Sequence, residues 1–207
     1  HITNALLRFN PRILDLPNFI ANYGNTKVQA NGGLTNYLAY FLKGDTLKGN
    51  LYLRAGKINL NDFMTSTDNN AKSTGTEDMA VIKIPGNLNL EFTSAIDELN
   101  YEKYKITAFA GKLIVRDQAV KIEKASLKML GGNAVLNGMY NSKPAEPTFD
   151  FKFDINRFDI KQTASVVDAV ALLAPIAKYA TGVYSTVLEF NGKLDGKMMP
   201  IYESLNG

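Results

Sequence analysis

The chain of 207 residues has no cysteine, no tryptophan and one histidine. Without cysteine there is no disulfide frame and no thiolate to act as nucleophile or metal ligand, which leaves the compartment open. The histidine is His1, so no Ser/His/Asp or Cys/His set can be assembled inside the chain. HExxH, P-loop and GxSxG patterns are absent, and the Asp-Asn-Asn at Asp68 lacks the other ligands of a calcium loop. These gaps point away from an enzyme, and no metal site or cofactor is expected. Charge of one sign is also scarce. The net charge is +3 with no dense basic block, which does not suggest a nucleic-acid partner. No stretch reaches the roughly 20 apolar residues of a membrane-spanning helix. The most apolar run, Ala169 to Ala177, is short and holds Pro175, and it reads as a buried helix. The start shows neither Met nor a signal-peptide pattern, so a piece of a longer chain is expected, with sequence missing at both ends.

What is present is a β rhythm. Leu51, Leu53 and Ala55 alternate, skip one position, and resume at Ile58 and Leu60. Phe151, Phe153 and Ile155 do the same and resume at Phe158 and Ile160. A one-residue slip reverses the face of a strand unless a bulge absorbs it, and Gly56 and Asn156 stand at the slips as residue types that tolerate positive φ. The shared slip suggests a repeated unit of about 100 residues. Leu88, Leu90 and Phe92 alternate with Asn87, Asn89 and Glu91; Ile106 and Ala108, then Leu113 and Val115, continue the pattern. Val120 and Ile122 change register to Ala125, Leu127 and Met129, which places a second bulge near Lys124. Asp117-Gln118, Gly24-Asn25, Gly131-Gly132 and, 99 residues before the last, Gly32-Gly33 read as turns, as does Asp97-Glu98. Pro11 and Pro17 suit an edge or an irregular entry. Asn36 to Leu42 fits a strand or a short helix equally.

The fold class expected is mainly β: an elongated, curled antiparallel sheet of repeats, with one Ala-rich helical segment near 163–181. Ser165 and Asp168 fit a capping box, Pro175 a break and Gly182 a stop, giving one helix near 163–173 and a short one from 175. The domains expected are 1–64, a first β unit; 65–79, a flexible polar linker; and 80–207, a second unit with the helix and the last strands. Seven residues of strand reach about 23 Å, whereas a helix of about 11 residues spans about 16 Å. Such a helix cannot cover the apolar face of so many strands. Either the sheet folds on itself as a sandwich, or part of that face stays open for a ligand. In the second case Leu88, Leu90, Phe92, Ile106, Phe149, Phe151, Phe153 and Ile155 line an apolar groove. Asp150 and Asp154 share a strand face with Lys152, which reads as a solvated polar face before it reads as a glycosidase pair.

Three stretches carry a family resemblance: FAGKLIVRDQAVKIEKASLKMLGGNAVLNGMY from Phe109, FDFKFDINRFDIKQT from Phe149, and LLAPIAKYATGVYSTVLEFNGKLDGKMMPIYESLNG from Leu172. Together they resemble the C-terminal region of the AsmA family of Gram-negative envelope proteins. The likeness covers Ile84 to Gly207 well, and His1 to Met64 only as a weaker repeat. It implies a periplasmic β body whose parent protein is anchored in the inner membrane, with a link to outer-membrane integrity. The family is similar to bridge-like lipid transfer proteins, whose repeating β units curl into a gutter for acyl chains. The implied partners are a phospholipid or other acyl lipid and neighbouring repeats of the full-length protein. A structural or protein-binding β scaffold is the alternative.

Overall fold

The computed structural model describes residues 2–23, 26–59, 81–167 and 174–207. Ten strands form one open sheet whose spatial order is the chain order. They are β1 (Ile2–Phe9), β2 (Ile13–Tyr23), β3 (Thr26–Thr35), β4 (Leu47–Asn59), β5 (Leu88–Tyr101), β6 (Tyr104–Arg116), β7 (Ala119–Met129), β8 (Gly132–Asn141), β9 (Thr148–Asp159) and β10 (Val183–Lys193). The mainly β expectation holds. The sheet is mixed rather than antiparallel, because β4 and β5 run parallel while every other neighbouring pair is antiparallel. Short turns reverse the chain. Asp117-Gln118 (φ 54 and 62) and Leu130-Gly131 (φ 49 and 76) both place two left-handed residues at the hairpin tip, the geometry that matches strand twist. From Asn59 to Leu88 the connection is long, and only a long connection can bring the chain back to pair in parallel. The expected 65–79 linker, Leu60 to Met64 and the Gly24-Asn25 turn lie outside the described residues.

The slips resolve in different ways. Lys124 has φ 48 and the β7–β8 register shifts between Ile122 and Ala125, so the second bulge stands where the alternation changes. In β9 the bulge falls one residue beyond Asn156, at Arg157 (φ 57), and the β9–β10 register shifts there. Gly56 is different. Ala55 pairs with Ile96 and Lys57 with Glu98 at an unchanged offset, so no residue is inserted relative to β5. The left-handed residue near this row is Ala108 (φ 50) on β6. Asp97-Glu98 is likewise not a turn but lies within β5. Gly32-Gly33 lies inside β3, where a Cβ on Gly32 would sit 2.1 Å from the Asn50 carbonyl oxygen. The glycine is there for close strand approach, not for a turn. Pro17 falls at the register shift between Leu16 and Phe19 in β2.

Helix α1 (Tyr37–Lys43) occupies the ambiguous stretch, and Gly44 (φ 72) stops it, with the Gly44 and Asp45 amides donating back to the Tyr40 and Ala39 carbonyls. Helix α2 (Ile160–Val166) starts earlier than Ser165. Its cap is Asp159, whose carboxylate accepts the Gln162 amide at 2.7 Å, and an Asp three residues before a Gln is the stronger signal. Ser165 is inside the helix; Asp168 lies outside the described residues. A 3-10 turn, Pro175–Tyr179, opens on Pro175 as a break requires.

Among the described residues the helix–strand contacts of any extent are α1 on β4, α2 on β9, and the 3-10 turn Tyr202–Ser204 on β10. Buried apolar side chains are correspondingly few, and many are alanines. The clustered core is Ala134, Ile155 and Phe158 with Leu127, Phe153 and Tyr184 around it, beside α2.

Candidate functional site

Residues directly opposite each other on neighbouring strands share a face, so the register itself draws the apolar surface. One row runs through all ten strands: Phe9, Leu14, Leu34, Gly49, Leu90, Val115, Val120, Tyr140, Phe149 and Gly192. A second runs through nine: Leu16, Gly32, Leu51, Phe92, Leu113, Ile122, Gly138, Phe151 and Phe190. Polar side chains are almost absent from both. At roughly 4.8 Å per strand, the first row extends about 43 Å across the sheet.

The candidate groove residues take their places in these rows. Leu90 and Phe149 stand in the first, and Phe92 and Phe151 in the second. Leu88 pairs with Leu47 at one margin, whereas Phe153 (with Leu136 and Leu188) and Ile155 (with Ala134) form the next two positions of β9. Ile155 is 8% exposed and belongs to the core. Ile106 stands apart: it pairs with Leu99, which pairs with Ile58, beyond Ala108. The rows also gain members that alternation in isolated strands does not connect, among them Leu14, Leu34 and Phe190. Their strands alternate legibly; only pairing shows that they join the same surface.

Two cavities open on this surface. One, of about 360 Å³, is lined from Leu14 on β2 across to Phe92 on β5, so the apolar face is concave over these four strands. The other, of about 650 Å³, is lined by Tyr140, Phe149, Phe151 and Phe190 and by the chain beyond β10. Here the rings pack as a ladder: Phe149–Phe151 centroids are 6.1 Å apart, Phe151–Phe190 5.7 Å and Phe153–Phe190 6.1 Å. Gly138 makes the ladder possible. A Cβ there would lie 2.2 Å from the Phe151 ring, so that ring rests flat on the β8 backbone. No family model, curated protein or solved structure matches this chain. The surface is therefore described by its own chemistry, two rows of hydrocarbon almost without polar side chains.

The alternate residues carry ion pairs. Lys112 meets Glu91 at 2.8 Å, Lys121 meets Glu123 at 2.8 Å, and Lys152 meets Glu189 directly across the β9–β10 pair. Asp150 and Asp154 are exposed; Asp150 borders a polar depression of about 630 Å³ with Lys121 and Lys152. Among the described residues no cluster of three or more His, Asp or Glu side chains forms a metal site.

Glu98 receives Lys57 at 2.9 Å and Lys105 at 3.1 Å. Hydrogen bonds from Lys57, then Asn100 and Lys105, lower its pKa to about 2. Because the folded value lies below the free value of 4.5, the stabilisation is complete above pH 4.5 and is lost as pH falls toward 2. A carboxyl NMR titration should give Glu98 a midpoint near 2, and Lys57→Gln should raise it. A Glu98 midpoint at the free value in the parent protein contradicts the pairing.

Proposed function

We propose that this chain is a non-enzymatic segment of an acyl-lipid conduit. The observation that carries the reading is the pair of apolar rows that cross ten and nine strands, over whose centre no second layer stands among the described residues. A fully buried methylene gains about 0.8 kcal/mol, and one laid on an open face is covered on one side only, so ten gain on the order of 4 kcal/mol before the cost of ordering the chain. A single-layer sheet with ion pairs on its other face suits that use, since water wets one side and hydrocarbon the other. The resemblance to AsmA proteins fits the same reading. It would make this chain part of the periplasmic body of an inner-membrane-anchored parent involved in lipid transport and outer-membrane biogenesis. Repeating units of about 100 residues would then rest on the common apolar pattern of β4 and β9, since the bulge stands in β9 and not in β4.

The test is photo-crosslinking in the full-length protein in cells, with one probe at Phe151 and one at Lys152. Lipid adducts are expected at 151 and not at 152, because the two side chains leave opposite faces of β9. No lipid at either position, in folded protein, favours a protein-binding β scaffold instead. The observation on that side is β1, exposed along its whole length, Leu7 and Phe9 included, which offers an edge for strand addition.

A further inference from the structure

The two ends of the sheet are built differently. At β1 the first row runs to the edge and stops at an exposed Phe9. At β10 the chain turns back. Asn191 and Asn206 exchange backbone hydrogen bonds at 2.9 and 3.0 Å, and Leu194 bridges to Pro200. The returning segment lies on the apolar rows, with Leu205 packed where a Cβ on Gly192 would stand, 3.0 Å away, and the Phe149 ring beside it. Asp195 fixes the turn by accepting the Lys197 and Met199 amides at 2.8 and 2.9 Å. Within that turn Met198 is held left-handed (φ 62), an uncommon conformation for a side chain of its size, and its sulfur sits 3.7 Å from the Tyr140 hydroxyl. The segment thus walls the β10 side of the 650 Å³ cavity, which stays open to the surface along the rows.

The polar atoms of that cavity decide its occupant. Among the described lining side chains only Tyr140 and Asn206 carry nitrogen or oxygen. The Tyr140 hydroxyl donates to the Ile82 carbonyl at 2.8 Å, and the Asn206 side-chain amide donates to the Ser204 carbonyl at 3.2 Å. The Tyr140 proton is thereby committed, one Asn206 amide hydrogen remains, and no charged side chain lines the cavity among the described residues, so a headgroup drawn in would lose most of its water without replacement. We infer that this cavity is the closed end of the groove and takes the methyl end of one unbranched acyl chain, with the head lying outward along the rows toward β7. The inference rests on the lipid reading above and adds to it a dead end and an orientation.

The absence of tryptophan makes the test direct, since one introduced Trp is the only indole in the chain. Met198→Trp reports on the closed end, Leu205→Trp is a second reporter should the first fail to fold, and Leu51→Trp reports on the β2–β5 cavity. The ligand is stearic acid carrying a nitroxide quencher on its sixteenth or its fifth carbon. Loss of most Trp emission at position 198 or 205 with the sixteenth-carbon label, and little loss with the fifth-carbon label, is the expected result. Equal quenching by both labels, or quenching only at position 51, overturns the closed end and its orientation while leaving the groove. Quenching at no reporter overturns the groove as well.

Discussion

Phe158→Ala lowers the free energy of unfolding by about 3–5 kcal/mol, read as a fall in the urea midpoint at constant slope. Phe158 is 5% exposed and clusters with Ala134 and Ile155. Its ring meets Tyr184 edge-on at 6.2 Å, and Tyr184 in turn donates its hydroxyl to Thr163 of α2 at 3.3 Å. Truncation removes the ring that ties β9, β10 and α2 together and leaves a gap among Leu127, Met129, Leu130, Phe153 and Tyr184. In a sheet with so thin a core, one such loss is a large share of total stability. A change below about 1 kcal/mol would mean that α2 does not pack on this cluster as described.

On the proposed lipid reading, Phe151→Asp is expected to remove lipid adducts and lipid binding while the sheet remains folded. Phe151 stands in the second row between Gly138 and Phe190, partly exposed, with its neighbours on the ladder also reaching the cavity. A carboxylate there would face the proposed acyl chain and lose water to it, whereas in empty protein it remains in water. Gly138→Val is the companion change. Its side chain occupies the place of the Phe151 ring and drives that ring into the groove, so binding falls without any new charge. Far-UV circular dichroism together with lipid retained on purification separates the outcomes. If Phe151→Asp unfolds the protein globally, the residue is ordinary core and the groove is lost as an idea.

The same distinction between strand and sheet explains what could be read early. Leu88, Leu90 and Phe92, and Phe149, Phe151 and Phe153, were legible as common faces of two strands because alternation is set by the local backbone. The break at Lys124 was legible for the same reason, as was the turn at Asp117-Gln118. The start of α2 was legible in principle, since Asp159 and Gln162 form a cap, but the Ala-rich run downstream drew the boundary too late. Gly32 and Gly56 show the opposite case. A glycine signals freedom of the backbone, and only the neighbouring strand shows whether the freedom serves a turn, a bulge or close approach.

The sequence by itself determined a mainly β chain with two-sided strands, one side apolar and the other charged, and no Cys/His or Ser/His/Asp nucleophile set. It did so because composition and period 2 are local properties. Only the assembled sheet sets the parallel seam between β4 and β5, the joining of Leu14, Phe92, Phe151 and Phe190 into one surface, and the return of Met198 and Leu205 to its β10 end. Those features depend on which strands meet and where the chain returns. Such choices are made by contacts between residues far apart in the chain, and no local rhythm carries them.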